Sequence, residues 1–418
     1  MVTQWLAIER GVRLITGFLS VIVVSSRITL EEFGTLSLSL FSYALLVSII
    51  LMGYEGLLLR RLSGKSKKSH TLNSVITMQF LLAIFLTPPF FLMLTNFSAE
   101  QHTLPALALA LALLVSPLGS YLQLLYCDGR FKEVATVGVL VALGSLLIRL
   151  FPLSGLRSSL NYYAITYATE FFSLSLAYYL VGRRAGSAPS SGFYRLMDFR
   201  VIKRFKAYAQ YSFSVWAGGV AHQFLGRADQ LVVAALLDMG AVGVLAVATK
   251  FVEGAVALVN SITPVWQKVI FHSRYDKDLF DTELKKIIFS ALIAMLSAYF
   301  LPILGLFSVS FFYANEPNFV SAKEIIWYQS LIIPGVVIGM VNGVLMFAVK
   351  NHNTALPRVL LALLVQILGL FLLIPYWGLN AVGLIGFASY LASSIGYNFC
   401  SEGGRYINNL VLKNIVWR

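Results

Sequence analysis

Four polar residues recur along the first apolar segment of the sequence, where Glu9, Arg13, Thr16 and Ser20 follow one another at spacings of four, three and four. In a helix these spacings place all four on one face, with Arg10 beside them. Ionisable groups in an apolar helix are costly and usually face a bundle interior or a wet cavity. Two interpretations remain open. Either Glu9 and Arg13 pair with each other, or the arginines form a cationic wall whose planar guanidinium groups suit phosphate oxygens.

Two later apolar segments carry a second set of charges. Arg227 and Asp229 lie two positions apart, and they form either an ion pair that closes a helix at the membrane interface or a gate or anion-binding pair. Lys250 and Glu253 lie one helical turn apart and can pair with each other. Because we place them near the middle of the membrane, we expect them to face a cavity. The predicted anion-binding residues are Arg10, Arg13, Arg227 and Lys250.

Five acidic residues are candidates for gating or for coupling to an ion, either a proton or sodium. They are Glu9, Glu55, Glu170, Asp229 and Glu253. Glu170 shares a helix face with three hydroxyl residues and has no charged partner nearby in the sequence, so it is the preferred proton-coupling residue. Glu55 lies close to Arg60 and Arg61, and it either neutralises them or takes part in coupling.

The sequence lacks a recognisable catalytic or metal-binding arrangement. Its five histidines are scattered, and its two cysteines, Cys127 and Cys400, do not have metal-ligand spacing. A glycine-rich phosphate loop and a nucleophile motif are also missing. We therefore expect no enzyme activity, no metal site and no organic cofactor.

The composition requires a membrane. Apolar residues make up 58% of the 418 residues and charged residues only 12%, whereas soluble domains carry roughly 25% charged residues. A helix needs about 20 mostly apolar residues to cross the hydrocarbon core. On this measure the predicted fold is an all-α integral membrane protein with about twelve transmembrane helices. They span residues 5–26, 35–58, 71–95, 104–126, 134–152, 160–182, 208–230, 240–263, 287–313, 325–349, 356–375 and 380–400.

The charges of the loops predict the orientation. With the N-terminus in the cytoplasm, 24 of the 32 Lys and Arg residues fall in the cytoplasmic loops and tail, and only four fall in the opposite loops. The four are Arg27, Arg149, Arg157 and Lys323. Because positive residues accumulate on the cytoplasmic side of membrane proteins, we predict that both termini are cytoplasmic. The net charge of +13 follows from this topology, and we expect no nucleic-acid partner.

The longest hydrophilic stretch divides the chain into halves. We define residues 1–182 as an N-terminal six-helix lobe, 183–207 as a basic cytoplasmic linker and 208–418 as a C-terminal six-helix lobe with a cytoplasmic tail. The linker is either a solvated positive loop or a surface helix on anionic lipid headgroups. Gly34 and Gly243 follow the first helix of each half and lie 209 positions apart. This spacing predicts a parallel repeat about an axis normal to the membrane.

Three segments resemble bacterial polysaccharide flippases of the O-antigen (Wzx) type. Residues 7–41 are similar to the first helix and loop of that family, although Thr29 and Leu30 replace its usual Gly-Pro. Residues 53–63 are similar to the glycine-rich end of its second helix and the basic loop that follows. Residues 226–265 resemble its seventh and eighth helices, including the Arg-x-Asp-Gln start. The matching loop residues of the first segment are Arg27, Glu32, Phe33 and Gly34.

The resemblance implies membership of the multidrug/oligosaccharidyl-lipid/polysaccharide exporter superfamily, whose fold is two six-helix lobes around a central cavity. It also implies that the protein moves an undecaprenyl-pyrophosphate-linked oligosaccharide across the bacterial inner membrane by alternating access. The expected partners are this substrate, membrane lipids, a polysaccharide polymerase and the chain-length machinery. Arg227 and Asp229 carry over from the matching motif, whereas Lys250 and Glu253 rest on the residue argument alone.

Two other functions remain open. A drug or metabolite exporter of the same superfamily predicts ion-binding acids in a mostly apolar cavity with fewer arginines. A membrane-embedded polysaccharide polymerase, which is an enzyme, requires a long external loop. The longest predicted external loop has only about a dozen residues, so it leaves little room for chemistry on that side.

Overall fold

Almost all of the residues that the structure describes are helical. The computed structural model describes residues 2–51, 68–97, 103–151, 159–184, 213, 216–273, 277–312, 317–348, 355–400 and 402–415. The protein divides into two compact units, Met1–Gln223 (unit 1) and Phe224–Arg418 (unit 2). Of the predicted linker, only Arg183 and Arg184 are described, at the end of a helix. The predicted boundaries of the lobes and linker therefore stay predictions.

The helices of unit 1 consist mostly of apolar residues. Up to residue 184 they are α1 (Val2–Ser25), α2 (Leu30–Leu51), α3 (Lys68–Phe97), α4 (Thr103–Val115), α5 (Tyr121–Cys127), α6 (Phe131–Leu150) and α7 (Leu160–Arg184). A 3₁₀ turn at Ser116–Ser120 contains Pro117 and joins α4 to α5, because proline cannot donate the hydrogen bond that continues an α-helix. α1 packs against α6, and α6 packs against α7. Side chains of these three helices can therefore meet at α6.

The helices of unit 2 are arranged around one long central helix. They are α8 (Ala228–Leu236), α9 (Met239–Ser273), α10 (Lys277–Ala298), α11 (Phe300–Phe312), α12 (Pro317–Ser330), α13 (Ile332–Ala348), α14 (Ala355–Trp377), α15 (Asn380–Leu391) and α16 (Glu402–Ile415). α9 is 35 residues long and packs against α8, α10, α11, α12 and α13. A side chain on α9 can therefore meet partners from several helices.

Eight helical segments among the described residues are long and apolar enough to cross a membrane. They are Leu30–Leu51, Leu72–Thr95, Thr103–Cys127, Phe131–Leu150, Met239–Gln267, Asp278–Phe311, Ser321–Met346 and Leu356–Trp377. Each overlaps one predicted transmembrane helix, and the chain is a multi-pass membrane protein. The other four predicted helices contain helical residues but fall outside these eight. The total of twelve therefore stays a prediction.

Some predicted loops and tails are helical instead. The charge count assigned Arg149 and Lys323 to the external side and Arg358 to the cytoplasmic side, and each of these residues lies within a helix. The predicted loop at 264–286 is also largely helical, since α9 and α10 extend into it. Hydropathy marks the stretch that crosses the hydrocarbon, and helices continue beyond that stretch wherever their ends are packed or solvated.

The helices that carry the two predicted repeat glycines begin with side-chain caps. The Glu32 carboxylate accepts the Thr29 N–H at 2.9 Å, and the Thr29 hydroxyl accepts the Glu32 N–H at 3.3 Å, which is a capping box. Before α9, the Asp238 carboxylate accepts the backbone N–H three residues later at 2.7 Å. Gly34 and Gly243 are each the fifth residue of their helix. The caps explain where α2 and α9 begin, and the repeat itself stays a prediction.

Close packing within each unit fixes the helices that carry charged residues. Tyr121 in unit 1 and Phe251 in unit 2 are among the largest side chains that are almost fully buried. α15 approaches α12 so closely that a Cβ atom on Gly383 would collide with the backbone of Tyr328 and Gln329. Only glycine fits at this contact. Such dense cores hold side chains in fixed positions, and this is what allows distant charged residues to meet.

Candidate functional site

The polar stripe of α1 faces inward. Every member of the stripe except Arg13 is buried, and the neighbouring Arg10 is exposed. The Glu9 carboxylate pairs with the Arg13 guanidinium at 2.7 Å. The same guanidinium donates to the hydroxyl of Tyr178 on α7 at 3.3 Å. The expected pairing of Glu9 with Arg13 is thus confirmed, and the Arg13 charge is balanced within unit 1.

A glycine on α6 makes room for the Glu9 carboxylate. A Cβ atom built on Gly138 would lie 2.7 Å from Glu9 Oε1, closer than van der Waals contact permits. α1 and α6 pack side by side. The missing side chain of Gly138 therefore lets the two helices approach each other with the Glu9–Arg13 ion pair at their contact.

Arg149 is a buried site residue that the loop count missed. It lies in the last turn of α6 and is only 2% exposed. Its Nη2 group pairs with the Glu170 carboxylate at 2.5 Å, and its Nη1 group donates to the Ser20 hydroxyl at 2.9 Å. Its guanidinium carbon lies 3.6 Å from the centre of the Tyr167 ring, a cation–π arrangement. Glu170 therefore has a partner, and the signal for it was the position of Arg149 inside the predicted helix 134–152.

Arg27 holds the end of α6 that carries Arg149. Its guanidinium donates to the carbonyl oxygens of Arg149 at 2.9 Å and Leu150 at 3.2 Å. The last carbonyls of a helix have no partner within the helix and carry partial negative charge. Arg27 satisfies two of them from the turn after α1, and it thereby fixes the position of the buried Arg149–Glu170 pair.

In unit 2, Glu253 bridges two cations. Its Oε1 atom pairs with the Arg227 guanidinium, and its Oε2 atom accepts the Lys250 ammonium at 2.8 Å. The expected pairing of Lys250 with Glu253 is confirmed, since one turn of α9 separates them. An ion pair of Arg227 with Asp229, one of the two interpretations open from the sequence, is not the contact that forms, since Arg227 precedes α8 and the Asp229 carboxylate accepts the backbone N–H of Gln230. Arg227 instead pairs with the carboxylate of Glu253.

A break in the chain positions Arg227. Residues 216–225 are helical, Gly226 and Arg227 form a turn, and α8 begins at Ala228. Arg227 has non-helical backbone angles and occupies the N-cap position of α8. The N-terminus of a helix carries partial positive charge, and half-helix N-termini in transporters point at anionic groups of substrates. The break therefore adds a positive helix end to the Arg227 charge.

The first turn of α8 also holds two buried polar residues. Asp229 and Gln230 are 5% and 0% exposed, and the Asp229 carboxylate accepts the backbone N–H of Gln230 at 2.8 Å. The side-chain amide of Gln230 has no hydrogen-bond partner. A buried carboxylate beside an unsatisfied amide is costly unless it binds something. This arrangement suits the predicted role of Asp229 in ion coupling, which stays a prediction.

Arg358 is a second buried arginine that the loop count missed. It is 6% exposed, it contacts the side-chain oxygen of Asn398, and its Nε has no hydrogen-bond partner. Asn398 donates to Asn408 of α16 at 2.6 Å, and Asn408 donates to the carbonyl oxygen of Ile395 at 3.2 Å. This chain of side chains ties the C-terminal helix to the rest of unit 2.

The charged clusters of the two units differ in the ratio of cations to anions. In unit 1, Glu9–Arg13 and Arg149–Glu170 each join one cation to one anion. In unit 2, two cations share the single carboxylate of Glu253, so that trio has excess positive charge. The remaining gating candidate, Glu55, lies outside the described residues. The described residues also contain no group of three His, Cys, Asp or Glu side chains arranged to hold a metal ion.

Sequence comparison places the chain in a family. A family described as "Polysaccharide biosynthesis protein" matches residues 3–271, well over half of the 418 residues. The chain belongs to this family. The matched region of this polysaccharide biosynthesis protein includes the polar stripe of α1, the Arg149–Glu170 pair and the trio around Glu253. A search of curated proteins found no match.

Solved structures with a similar fold are transporters. An inward-facing multidrug resistance MATE family transporter of the MOP superfamily matches with a TM-score of 0.70 and 14% identity, over 95% of each chain. The lipid II flippase MurJ, in an inward closed conformation, matches with a TM-score of 0.70 and 15% identity, over 99% of this chain and 90% of that chain. These likenesses show the fold. Together with the family, they support the predicted superfamily, and the polysaccharide biosynthesis protein has a fold like those of the MATE transporter and MurJ.

Proposed function

We propose that the protein is a flippase that moves undecaprenyl-pyrophosphate-linked oligosaccharide repeat units across the bacterial inner membrane for surface polysaccharide (O-antigen-like) biosynthesis. The observation that carries this proposal is the trio of Arg227, Lys250 and Glu253, which has two cations for one carboxylate. Charges inside a membrane protein mark a substrate or ion path. An excess of positive charge there favours an anionic substrate.

The chemistry of the trio suits a pyrophosphate. The planar Arg227 guanidinium can donate two parallel hydrogen bonds to phosphate oxygens, and the Lys250 ammonium acts as a compact point charge. The N-terminus of α8 adds partial positive charge, part of which the Asp229 carboxylate already takes up by accepting the Gln230 N–H. The apolar lipid tail can remain in the bilayer while the charged headgroup and the glycan pass through a hydrated path.

Other residues and partners have supporting roles in the proposed transport cycle. Arg10 and Arg13 are secondary contacts for the anion, because Arg10 is exposed and Arg13 is partly exposed on α1. Two six-helix lobes alternate access around a central cavity, with both termini in the cytoplasm. A proton or sodium ion supplies the energy, with Asp229 and Glu170 as its binding residues. The polymerase and chain-length machinery receive the product outside.

A drug exporter is the second candidate, and the likeness to a multidrug resistance MATE transporter favours it. The charge of the trio distinguishes the two candidates. A cationic drug would meet the excess positive charge of Arg227 and Lys250, and like charges in a low-dielectric site repel strongly. An anionic headgroup would be attracted.

Deletion of the gene in a strain without a redundant flippase tests the proposed function. We expect surface polysaccharide to disappear and the lipid-linked repeat unit to accumulate on the cytoplasmic side. Persistent surface polysaccharide without such accumulation would rule out the flippase. A changed resistance to cationic drugs, with normal polysaccharide, would instead support the exporter.

Charge reversal tests the site itself. Arg227→Glu and Lys250→Glu should each abolish complementation of the deletion strain at normal protein levels, because they turn the anion site into a repulsive one. Lys285→Glu, at an exposed position of α10, is the matched control and should complement fully. Normal surface glycan in both site variants would contradict the assignment of the site.

A further inference from the structure

The Glu253 carboxylate forms ion pairs with Arg227 and Lys250, as the oxygens of an anionic ligand would. One carboxylate oxygen pairs with Arg227, and the other accepts Lys250 at 2.8 Å. A phosphate group presents the same feature to the same partners, namely several negative oxygens on one centre. The carboxylate therefore fills the place where two cations would otherwise hold a phosphate.

The trio differs from the buried pair of unit 1 in its access. Side-chain exposure is 20% for Arg227, 37% for Lys250 and 36% for Glu253. By contrast, the Arg149 side chain is 3% exposed, and its partner Glu170 is 25% exposed. The cations of the trio are therefore partly open, whereas the guanidinium of Arg149 is enclosed and occupied by its neighbours.

The positions of the three residues on their helices allow the Glu253 carboxylate to separate from both cations. Lys250 and Glu253 lie on the same helix, α9, whereas Arg227 lies at the N-cap of α8. The carboxylate can leave both cations by rotating its own side chain, with no movement of a helix. Asp229, in the first turn of α8, is buried and accepts a backbone N–H, so it does not take the place of Glu253 on Arg227.

We propose that Glu253 is an internal competitor of the substrate, which the pyrophosphate displaces from Arg227 and Lys250 on binding and which returns to them on release. This inference rests on the proposed function. Two unopposed cations would hold a pyrophosphate tightly, and a transport site must bind strongly enough to load its substrate yet weakly enough to release it. Glu253 weakens binding enough for release, because its carboxylate re-forms both ion pairs when the headgroup leaves.

Binding of inorganic pyrophosphate to the purified full-length protein tests this inference. Titration calorimetry would compare the wild type with Glu253→Gln, Arg227→Gln and a control, Glu324→Gln, at an exposed position of α12. We expect Glu253→Gln to bind pyrophosphate roughly tenfold more tightly or better, since a charge-assisted hydrogen bond of about 1.5 kcal/mol or more no longer competes. Arg227→Gln should lose most binding, and the control should match the wild type.

A second variant keeps the test decisive if Glu253→Gln does not fold. Glu253→Asp retains the charge but is one methylene shorter, so it cannot bridge both cations as well. We expect it to bind pyrophosphate more tightly than the wild type does, with a smaller gain than Glu253→Gln shows. Affinity equal to or below that of the wild type in the folded variants would overturn the competitor role.

The outcomes separate this inference from the proposed function. If Arg227→Gln loses binding while the Glu253 variants gain none, the anion site stands and the competition is wrong. If neither the wild type nor any Glu253 variant binds pyrophosphate, the headgroup site itself is wrong. Undecaprenyl pyrophosphate in nanodiscs should compete with the probe, and a failure to compete would assign the site to a soluble anion.

Discussion

The guanidinium of Arg149 pairs with the carboxylate of Glu170 at 2.5 Å, although the two residues lie 21 positions apart. The pair joins the last turn of α6 to the middle of α7, and the Ser20 hydroxyl of α1 completes it at 2.9 Å. Three helices of unit 1 thus meet at one buried cation. This contact has consequences for both stability and transport.

Loss of Arg149 should destabilise the protein. Arg149→Met leaves Glu170 without its cation, and removal of one partner of a buried pair costs about 3 kcal/mol or more. Thermal unfolding in detergent should show a clear fall in Tm, whereas Arg184→Met, at the exposed end of α7, should change it little. In a double-mutant cycle, Arg149→Met combined with Glu170→Met should cost less than the sum of the single changes. Equal melting temperatures for the two arginine variants would show that the pair does not stabilise unit 1.

Glu170→Gln should remove the pH response of transport. The Glu170 carboxylate pairs with the Arg149 guanidinium at 2.5 Å. Under the proposed coupling, a proton on Glu170 removes the negative charge that holds Arg149, whereas glutamine cannot take up a proton but can still accept a hydrogen bond. Flipping of a labelled lipid-linked substrate in proteoliposomes, across a series of pH values, measures the effect. Glu31→Gln, at an exposed position of α2, is the control, and an unchanged pH response of Glu170→Gln would end its proposed coupling role.

Gly138→Ala should disturb the Glu9–Arg13 pair. The added methyl group would lie 2.7 Å from Glu9 Oε1, so the carboxylate must move, at a cost of about 1–3 kcal/mol. Gly144→Ala, on the same helix with no heavy atom within 4 Å, is the matched control and should be neutral or stabilising. The difference in Tm between these two variants isolates the clash. Glu9→Ala should reduce that difference, and a full difference without Glu9 would mean that the clash lies elsewhere.

Asn408→Ala should loosen the C-terminal helix. The amide of Asn408 accepts from Asn398 at 2.6 Å and donates to the Ile395 carbonyl at 3.2 Å, and loss of buried hydrogen bonds costs about 1–3 kcal/mol. Asn409→Ala changes the exposed neighbour on the same helix and should have little effect. Limited proteolysis of the tail measures the difference. Equal cleavage rates in the two variants would show that these hydrogen bonds do not dock α16.

Much of the candidate site could be predicted where partners are close in the sequence. Glu9 with Arg13, and Lys250 with Glu253, are each one turn apart, and both pairs form. The rest could not be predicted, because α-helical periodicity says nothing about which helices become neighbours. An ion pair of Arg227 with Asp229 was one of two interpretations open from the sequence, whereas the carboxylate that pairs with Arg227 belongs to Glu253, 26 positions away.

The sequence by itself determined that this is a multi-pass, helical membrane protein, and it marked most of the charged residues that form ion pairs in the structure. Those properties depend on apolar length and on charge placement along one chain, which are local quantities. Only the tertiary structure decided that Arg149 neutralises Glu170 and that Glu253 is shared by Arg227 and Lys250. These contacts depend on which helix faces pack together, and packing is set by the fit of whole surfaces.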